Sequence, residues 1–124
     1  MMDARVVAEL QSSLVGMACQ SAEILHGYPF LRFGEHQSIR VQTSWRLVSG
    51  SGVSTEDIRV LEGARLTGLE VVGDLFNLRL LWDSGLVFET APEPEDLMYE
   101  RWIAHIGPTL LAGAGPGDSW FSFI

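Results

Sequence analysis

Apolar and polar side chains alternate along most of this chain, and the alternation predicts a series of short β-strands. The clearest stretch contains Ile39, Val41 and Thr43, which are separated by polar residues at every second position. This period-two pattern is typical of a strand with one buried face. The predicted strands are 28–33, 39–44, 45–48, 65–72, 75–82, 86–90, 98–106, 110–112 and 119–123, with a short helix as the alternative for 98–106.

Residues 3–13 follow a different pattern, which predicts a short N-terminal helix. Val6, Val7 and Leu10 recur at helical spacing, and Asp3 precedes them in a position where its side chain can cap the helix.

The Gly/Ser-rich segment 50–55 predicts a linker in the middle of the chain. After it, residues 54–61 fit two interpretations. One is a one-turn helix in which Ser54 and Asp57 form a capping box, and the other is a strand over 58–61.

The second half of the chain resembles the first at an offset of 47 residues. Without a gap, residues 14–44 align with 61–91, and apolar positions match apolar positions. The identical pairs are Leu14/Leu61, Gly16/Gly63, Glu23/Glu70, Leu31/Leu78, Arg32/Arg79 and Thr43/Thr90. A period near 50 residues indicates one duplicated supersecondary unit.

A further match, of 45–50 with 102–107, requires an insertion in the second half at 91–100. We therefore predict an internal repeat of residues 14–50 and 61–107. The alternative is that two unrelated meanders share a period because strands and turns have standard lengths.

These patterns predict a mainly β fold, with a duplicated antiparallel β-meander forming a sandwich or rolled barrel and a short N-terminal helix. At 124 residues the chain fits a single domain, 1–124, and can bury a hydrophobic core without disulfides or metal.

The net charge of −8 is confined to one part of the chain. Residues 56–100 hold eleven acidic side chains against three arginines, whereas the remaining residues balance. Such a balance repels phosphate, so we expect no nucleic-acid binding and no attachment to anionic membranes. A basic protein partner is compatible with it, and so is the alternative that the acidic charge keeps the protein in solution.

The chain contains eight arginines, no lysine and one cysteine. Absence of lysine indicates a coding bias towards GC-rich codons and hence a bacterial source. No apolar run is long enough to span a membrane, and residues 1–5 lack the layout of a signal peptide. We therefore expect a cytoplasmic protein that has no membrane partner and forms no intramolecular disulfide.

The sequence contains no recognisable catalytic, cofactor-binding or metal-binding motif. Its three histidines, His26, His36 and His105, lack the spacing of metal ligands. Asp118 follows the glycine-rich segment 113–117, where a phosphate-binding loop would have lysine and serine or threonine, so a hairpin turn is favoured there. We therefore predict no cofactor, and an enzyme is the function class with the least support.

Two sets of residues are candidates for binding. The first is an acidic interaction surface at the segments where the halves differ, and its residues are Trp82, Asp83, Glu89, Glu93, Glu95, Asp96 and Glu100. Within it, Trp82 is expected to be partly exposed because a turn follows it, whereas Trp45 and Trp102 match across the halves and are expected in the core. The second candidate is an anion or ligand site between the two repeats, formed by Arg32 and Arg79. The alternative for these arginines is ion pairing with Glu23 and Glu70.

The second half resembles a group of small bacterial β-proteins classed as domains of unknown function, some of which look like immunity proteins from toxin loci. The resemblance rests on Leu80–Leu86 (Leu-Leu-Trp-Asp-Ser-Gly-Leu), Tyr99-Glu100 with Trp102, and Gly115-Pro116-Gly117. It implies a fold and implies no catalytic residues.

The sequence therefore favours a non-enzymatic binding protein whose acidic edge, Glu89–Glu100, meets a basic protein partner. A small-ligand-binding domain with a pocket between the repeats is the alternative. A homodimer is compatible with both, because spare sheet edges need covering.

Overall fold

The structure, a computed structural model, describes residues 2–52, 54–55 and 57–124. Within these ranges the chain is mainly β, with two antiparallel sheets in a sandwich-like arrangement and one short N-terminal α-helix. In chain order the strands are β1 (Ser21–Leu25), β2 (Tyr28–Arg32), β3 (Ser38–Val41), β4 (Trp45–Val48), β5 (Ser54–Thr55), β6 (Leu66–Val72), β7 (Asn77–Trp82), β8 (Val87–Thr90), β9 (Trp102–His105), β10 (Leu111–Ala114) and β11 (Trp120–Phe123).

Helix α1 (Ala4–Leu14) begins and packs as its sequence pattern predicts. The Asp3 side chain caps it by accepting a 2.8 Å hydrogen bond from the backbone N–H of Arg5. Leu10 and Leu14 are fully buried. Nε2 of Gln11 donates a 2.9 Å hydrogen bond to the Leu69 carbonyl on β6. The helix therefore lies against the five-stranded sheet.

Each sheet combines strands from both halves of the chain. The six-stranded sheet has the order β1-β2-β3-β9-β10-β11, and the five-stranded sheet has the order β5-β4-β8-β7-β6. Three consecutive strands of each half form a meander, and the next strand crosses to the other sheet. Strand β9 therefore pairs with β3, and β4 pairs with β8. The two halves consequently share one core.

Residues 47 positions apart adopt the same backbone conformation where each half begins. Helix α1 ends at Leu14, and a 3-10 helix (Ile58–Leu61) ends at Leu61. Two residues later stand Gly16, with φ 96°, and Gly63, with φ 86°. A positive φ of this size strains any residue with a Cβ, so glycine is strongly favoured at both places.

The backbones of the two halves meet directly after these glycines, and their hydrogen bonds occur in matched pairs. The N–H of Gly16 donates to the Leu66 carbonyl at 2.7 Å, and the N–H of Gly63 donates to the Cys19 carbonyl at 2.8 Å. An isolated bridge between Ala18 and Arg65 lies between these bonds. This reciprocal contact is the geometry that a duplicated unit would produce, and the duplication itself stays a prediction.

The core lies between the two sheets. On the inner face of the five-stranded sheet, cross-strand register aligns the buried side chains of Leu69, Leu80, Phe88 and Leu47. Trp102 of the other sheet is 1% exposed, as expected, whereas Trp45 is only partly buried and stacks on the Phe88 ring.

The structure changes one predicted element and decides between two interpretations of another. Of the predicted strand 98–106, Trp102–His105 is a strand, and a 3-10 helix (Pro94–Met98) precedes it. Proline favours the first turn of such a helix because its φ is already helical. Of the two interpretations of residues 54–61, the one-turn helix is confirmed: it spans Ile58–Leu61 and is capped by Asp57. The capping box predicted for Ser54 lies outside the described side chains.

Candidate interaction surface

The acidic loop, defined here as residues 91–100, is the insertion that distinguishes the second half from the first. Its 3-10 helix and the residue that follows the helix present two large apolar side chains to solvent, since Met98 is 71% exposed and Tyr99 is 65% exposed. The exposed acidic side chains around them are Glu93, Glu95 and Glu100. An exposed apolar centre bordered by charge is the usual composition of a protein-binding surface.

Asp96 holds this loop against the rest of the domain. Its Oδ2 accepts hydrogen bonds from Oγ1 of Thr43 at 3.1 Å, from the backbone N–H of Ser44 at 3.2 Å and from the backbone N–H of Glu93 at 2.8 Å. Thr43 and Ser44 follow β3, so the carboxylate joins the loop to the six-stranded sheet. The loop therefore has a defined conformation before any partner binds.

The hydrogen bonds to Asp96 also determine its pKa. Burial of the side chain acts to raise the pKa, because a buried carboxylate loses solvation. The N–H groups of Glu93 and Ser44 and the hydroxyl of Thr43 outweigh this effect, and the pKa of Asp96 lies below its ordinary value. The anchor is therefore negatively charged at neutral pH.

A second set of bonds fixes the strand that follows the loop. The guanidinium of Arg101, whose side chain is 1% exposed, donates to the carbonyls of Gly115 at 2.8 Å and Leu75 at 2.6 Å. Nε1 of Trp102 donates to the carbonyl of Phe76 at 2.7 Å. Burial lowers the pKa of Arg101, and the charge of Asp96 opposes that change. Arg101 and Trp102 thus bind the β6–β7 turn and the 115–118 turn to β9.

Glu89, predicted to belong to the acidic surface, lies instead in a row of alternating charges. Cross-strand register on the outer face of the five-stranded sheet aligns Arg46, Glu89, Arg79 and Glu70. Arg46 pairs with Glu89 at 3.1 Å, and Arg79 pairs with Glu70 at 3.3 Å. Opposite charges on neighbouring strands attract one another, so this row is locally neutral.

Two other residues predicted for the acidic surface are buried. Trp82 is 3% exposed, so the expectation of partial exposure is wrong: its ring points inward from β7 and stacks on Phe33 with centroids 5.9 Å apart. Asp96 is 9% exposed because it anchors the loop. Asp83 is exposed but lies in the turn after β7, where its Oδ1 accepts a hydrogen bond from the backbone N–H of Arg65.

Arg32 and Arg79 lie on different sheets and do not form one site. Each has a buried apolar residue on either side of it in sequence, so the two side chains project from opposite outer faces of the sandwich. Arg79 pairs with Glu70, which is the predicted structural alternative. Arg32 lies 5.7 Å from the centroid of the Phe30 ring, and Arg40 lies 5.5 Å from the same centroid.

Sequence reasoning missed the apolar centre of the loop. The sequence pattern places Met98 and Tyr99 in the predicted strand 98–106, where apolar residues are usually core residues. A signal was present, since both follow directly on a proline-rich acidic insertion that the first half lacks.

Within the described residues, no group of three or more His, Cys, Asp or Glu side chains is placed to hold a metal ion. None of the described helices has the length and apolar character needed to cross a membrane.

No protein-family model, no curated protein and no solved structure matches this chain.

Proposed function

We propose that this chain is a non-enzymatic binding protein whose acidic loop docks onto a basic surface of a protein partner. The observation that carries the proposal is the exposure of Met98 and Tyr99 among three glutamates. Tyrosine and methionine are enriched at the centres of interfaces, where burial of a few such side chains supplies most of the affinity. The glutamates at the rim select a partner of opposite charge.

The charge distribution favours the acidic loop, rather than the other acidic residues of 56–100, as the binding surface. Arg46 and Arg79 neutralise the acidic side chains on the five-stranded sheet, and Arg59 pairs with Asp57. Within the described residues, no arginine pairs with the three glutamates of the acidic loop. Their charge is therefore available to a partner.

The anchoring by Asp96 supports the proposal in a second way. A loop that is ordered before binding loses little conformational entropy on association, so more of the contact energy appears as affinity. The resemblance to bacterial immunity-like β-proteins suggests that the partner is a basic toxin. A bacterial source, a cytoplasmic location and a homodimer belong to the same proposal.

The test uses three variants of the full chain. M98S/Y99S removes the apolar centre, and E93Q/E95Q/E100Q removes the charged rim. E9Q/E23Q/E35Q makes the same change in net charge at exposed glutamates elsewhere. Wild type and the control variant are used to recover basic proteins from the host extract. These proteins are purified, and calorimetry measures their affinities for wild type and for each variant.

We expect both loop variants to bind at least about tenfold more weakly than wild type, and the control to bind as wild type does. Raising the salt concentration should weaken wild-type binding and have less effect on E93Q/E95Q/E100Q, because salt screens charges and not apolar contacts. Unchanged affinity of both loop variants would refute the proposal.

A further inference from the structure

A cavity of about 600 Å³ lies beside the acidic loop. The connection is the 115–118 turn: the N–H of Gly117 donates a 2.7 Å hydrogen bond to the Leu97 carbonyl, and the next residue, Asp118, lines the cavity. The start of α1 and the β6–β7 turn form the other walls. Arg101 and Trp102 hold that turn in place through the Leu75 and Phe76 carbonyls.

The lining of this cavity combines apolar surface with two carboxylates. Met2, Val7, Val71 and Phe76 supply apolar side chains, and Met2 and Phe76 are themselves buried. Asp74 and Asp118 are the charged residues among its lining, and both are exposed.

The two carboxylates have no counter-ion within the described part of the chain. No arginine or histidine pairs with Asp74 or Asp118 there, and no described side chain donates a hydrogen bond to either. The guanidinium of Arg101, which contacts the same turns, is buried and bonded to backbone carbonyls. An apolar cavity with two unneutralised carboxylates suits a ligand with a cationic head and an aliphatic stem.

We propose that this cavity binds a primary ammonium group carried on an aliphatic chain, such as the side chain of a lysine or a free alkylamine. The stem lies against Val7, Val71 and Phe76, and the ammonium group lies between Asp74 and Asp118. This site is separate from the apolar centre formed by Met98 and Tyr99, and its test requires no knowledge of the protein partner.

The first measurement is titration of the full chain with pentylamine, methylamine and pentanol, followed by amide chemical shifts in NMR spectra. Pentylamine should give saturable shifts confined to residues 71–76, residues 117–119 and the start of α1. Methylamine lacks most of the stem and should bind at least about tenfold more weakly, because each buried methylene contributes to affinity. Pentanol lacks the positive charge and should bind at least about fivefold more weakly than pentylamine.

The second measurement compares two variants of equal net charge. D74N/D118N should lose at least about fivefold in affinity for pentylamine, whereas E23Q/E35Q, which changes exposed glutamates on β1 and in the β2–β3 turn, should retain it. The substituted side chains are on the surface, so both variants should keep the wild-type pattern of amide shifts without ligand. Equal binding of pentanol and pentylamine, unchanged binding by D74N/D118N, or absence of saturable shifts would each overturn the proposal.

Two further ligands distinguish the source of the ammonium group. Binding of an amide-blocked lysine as strong as that of pentylamine would support a lysine of a protein chain as the occupant. If pentylamine and 1,5-diaminopentane bind and the blocked lysine binds at least tenfold more weakly, the result would support a free amine as the occupant.

Discussion

Thr43 donates a buried hydrogen bond of 3.1 Å from Oγ1 to Oδ2 of Asp96, although 53 residues separate them in sequence. The bond joins the end of the meander in the first half to the insertion in the second half. Asp96 is therefore an anchor of the acidic loop rather than a part of its exposed surface. The position of Met98 and Tyr99 depends on this anchor, because the 3-10 helix that contains Asp96 ends at Met98 and Tyr99 follows it directly.

Substitution of Asp96 by alanine should destabilise the fold by about 2–3 kcal/mol. The change leaves the hydroxyl of Thr43 and the N–H groups of Ser44 and Glu93 without their shared acceptor, and lost hydrogen bonds to a charged group have this magnitude. Urea denaturation measures the free energy of unfolding. Glu95→Ala is the control, because this neighbour is exposed and should change stability by less than about 0.5 kcal/mol.

The difference in stability between wild type and Asp96→Ala should depend on pH. Because the pKa of Asp96 is lower in the folded state than its ordinary value of 3.8, the unfolded chain binds the proton more readily. The stabilisation is therefore fully present above about pH 5 and is lost as the pH falls through the folded-state pKa. Denaturation curves from pH 7 to pH 3 should show the difference narrowing, and a constant difference would contradict this role.

Phenylalanine should be tolerated better at Trp82 than at Trp102. Both indoles are buried, but Nε1 of Trp102 donates to the Phe76 carbonyl, whereas Nε1 of Trp82 has no partner within the described residues. Trp102→Phe leaves a buried carbonyl without its donor, and Trp82→Phe removes a donor that was already unsatisfied. We expect Trp102→Phe to cost about 1–2 kcal/mol more in unfolding free energy. Equal costs in urea denaturation would show that the indole N–H of Trp102 contributes nothing.

Alanine should destabilise the fold to a similar extent at Gly16 and at Gly63. An added Cβ would meet no atom within 4 Å at either place, so the cost arises from the positive φ alone. We expect about 1–2 kcal/mol for each variant by thermal or urea denaturation. Gly50→Ala is the matched control, since its added Cβ also has space and its φ is not positive. Clearly unequal costs at Gly16 and Gly63 would show that the two backbone positions are not equivalent.

The thiol of Cys19 should react slowly while the protein is folded. Burial, followed by the nearby charge of Glu62, raises the pKa of Cys19 to about 11. Thiolate is the reactive form, so at pH 8 alkylation by iodoacetamide should be roughly 100-fold slower than for the same chain in urea. The ratio of the two rates, measured by mass spectrometry, checks this. Similar rates would show that Cys19 is accessible in the folded protein.

Several parts of the fold follow from sequence because they depend on neighbouring residues. The alternation around Ile39, the helical spacing of α1 and the recurrence of Gly16 at Gly63 are local patterns, and the structure has a strand, a helix and two positive-φ glycines at these places. The burial of Trp82 does not follow from such a local pattern. The turn after Trp82 does not determine which face of β7 packs against Phe33.

The sequence by itself determined the mainly β class, the spacing of the two halves and the segment in which they differ, because each is a property of adjacent residues. The tertiary structure alone decided which acidic side chains remain unpaired. Glu89 meets Arg46 across 43 residues because β4 pairs with β8. Asp96 meets Thr43 across 53 residues because the acidic loop lies against the segment that follows β3. The cavity between Asp74 and Asp118 likewise exists because three distant segments converge at one end of the sandwich.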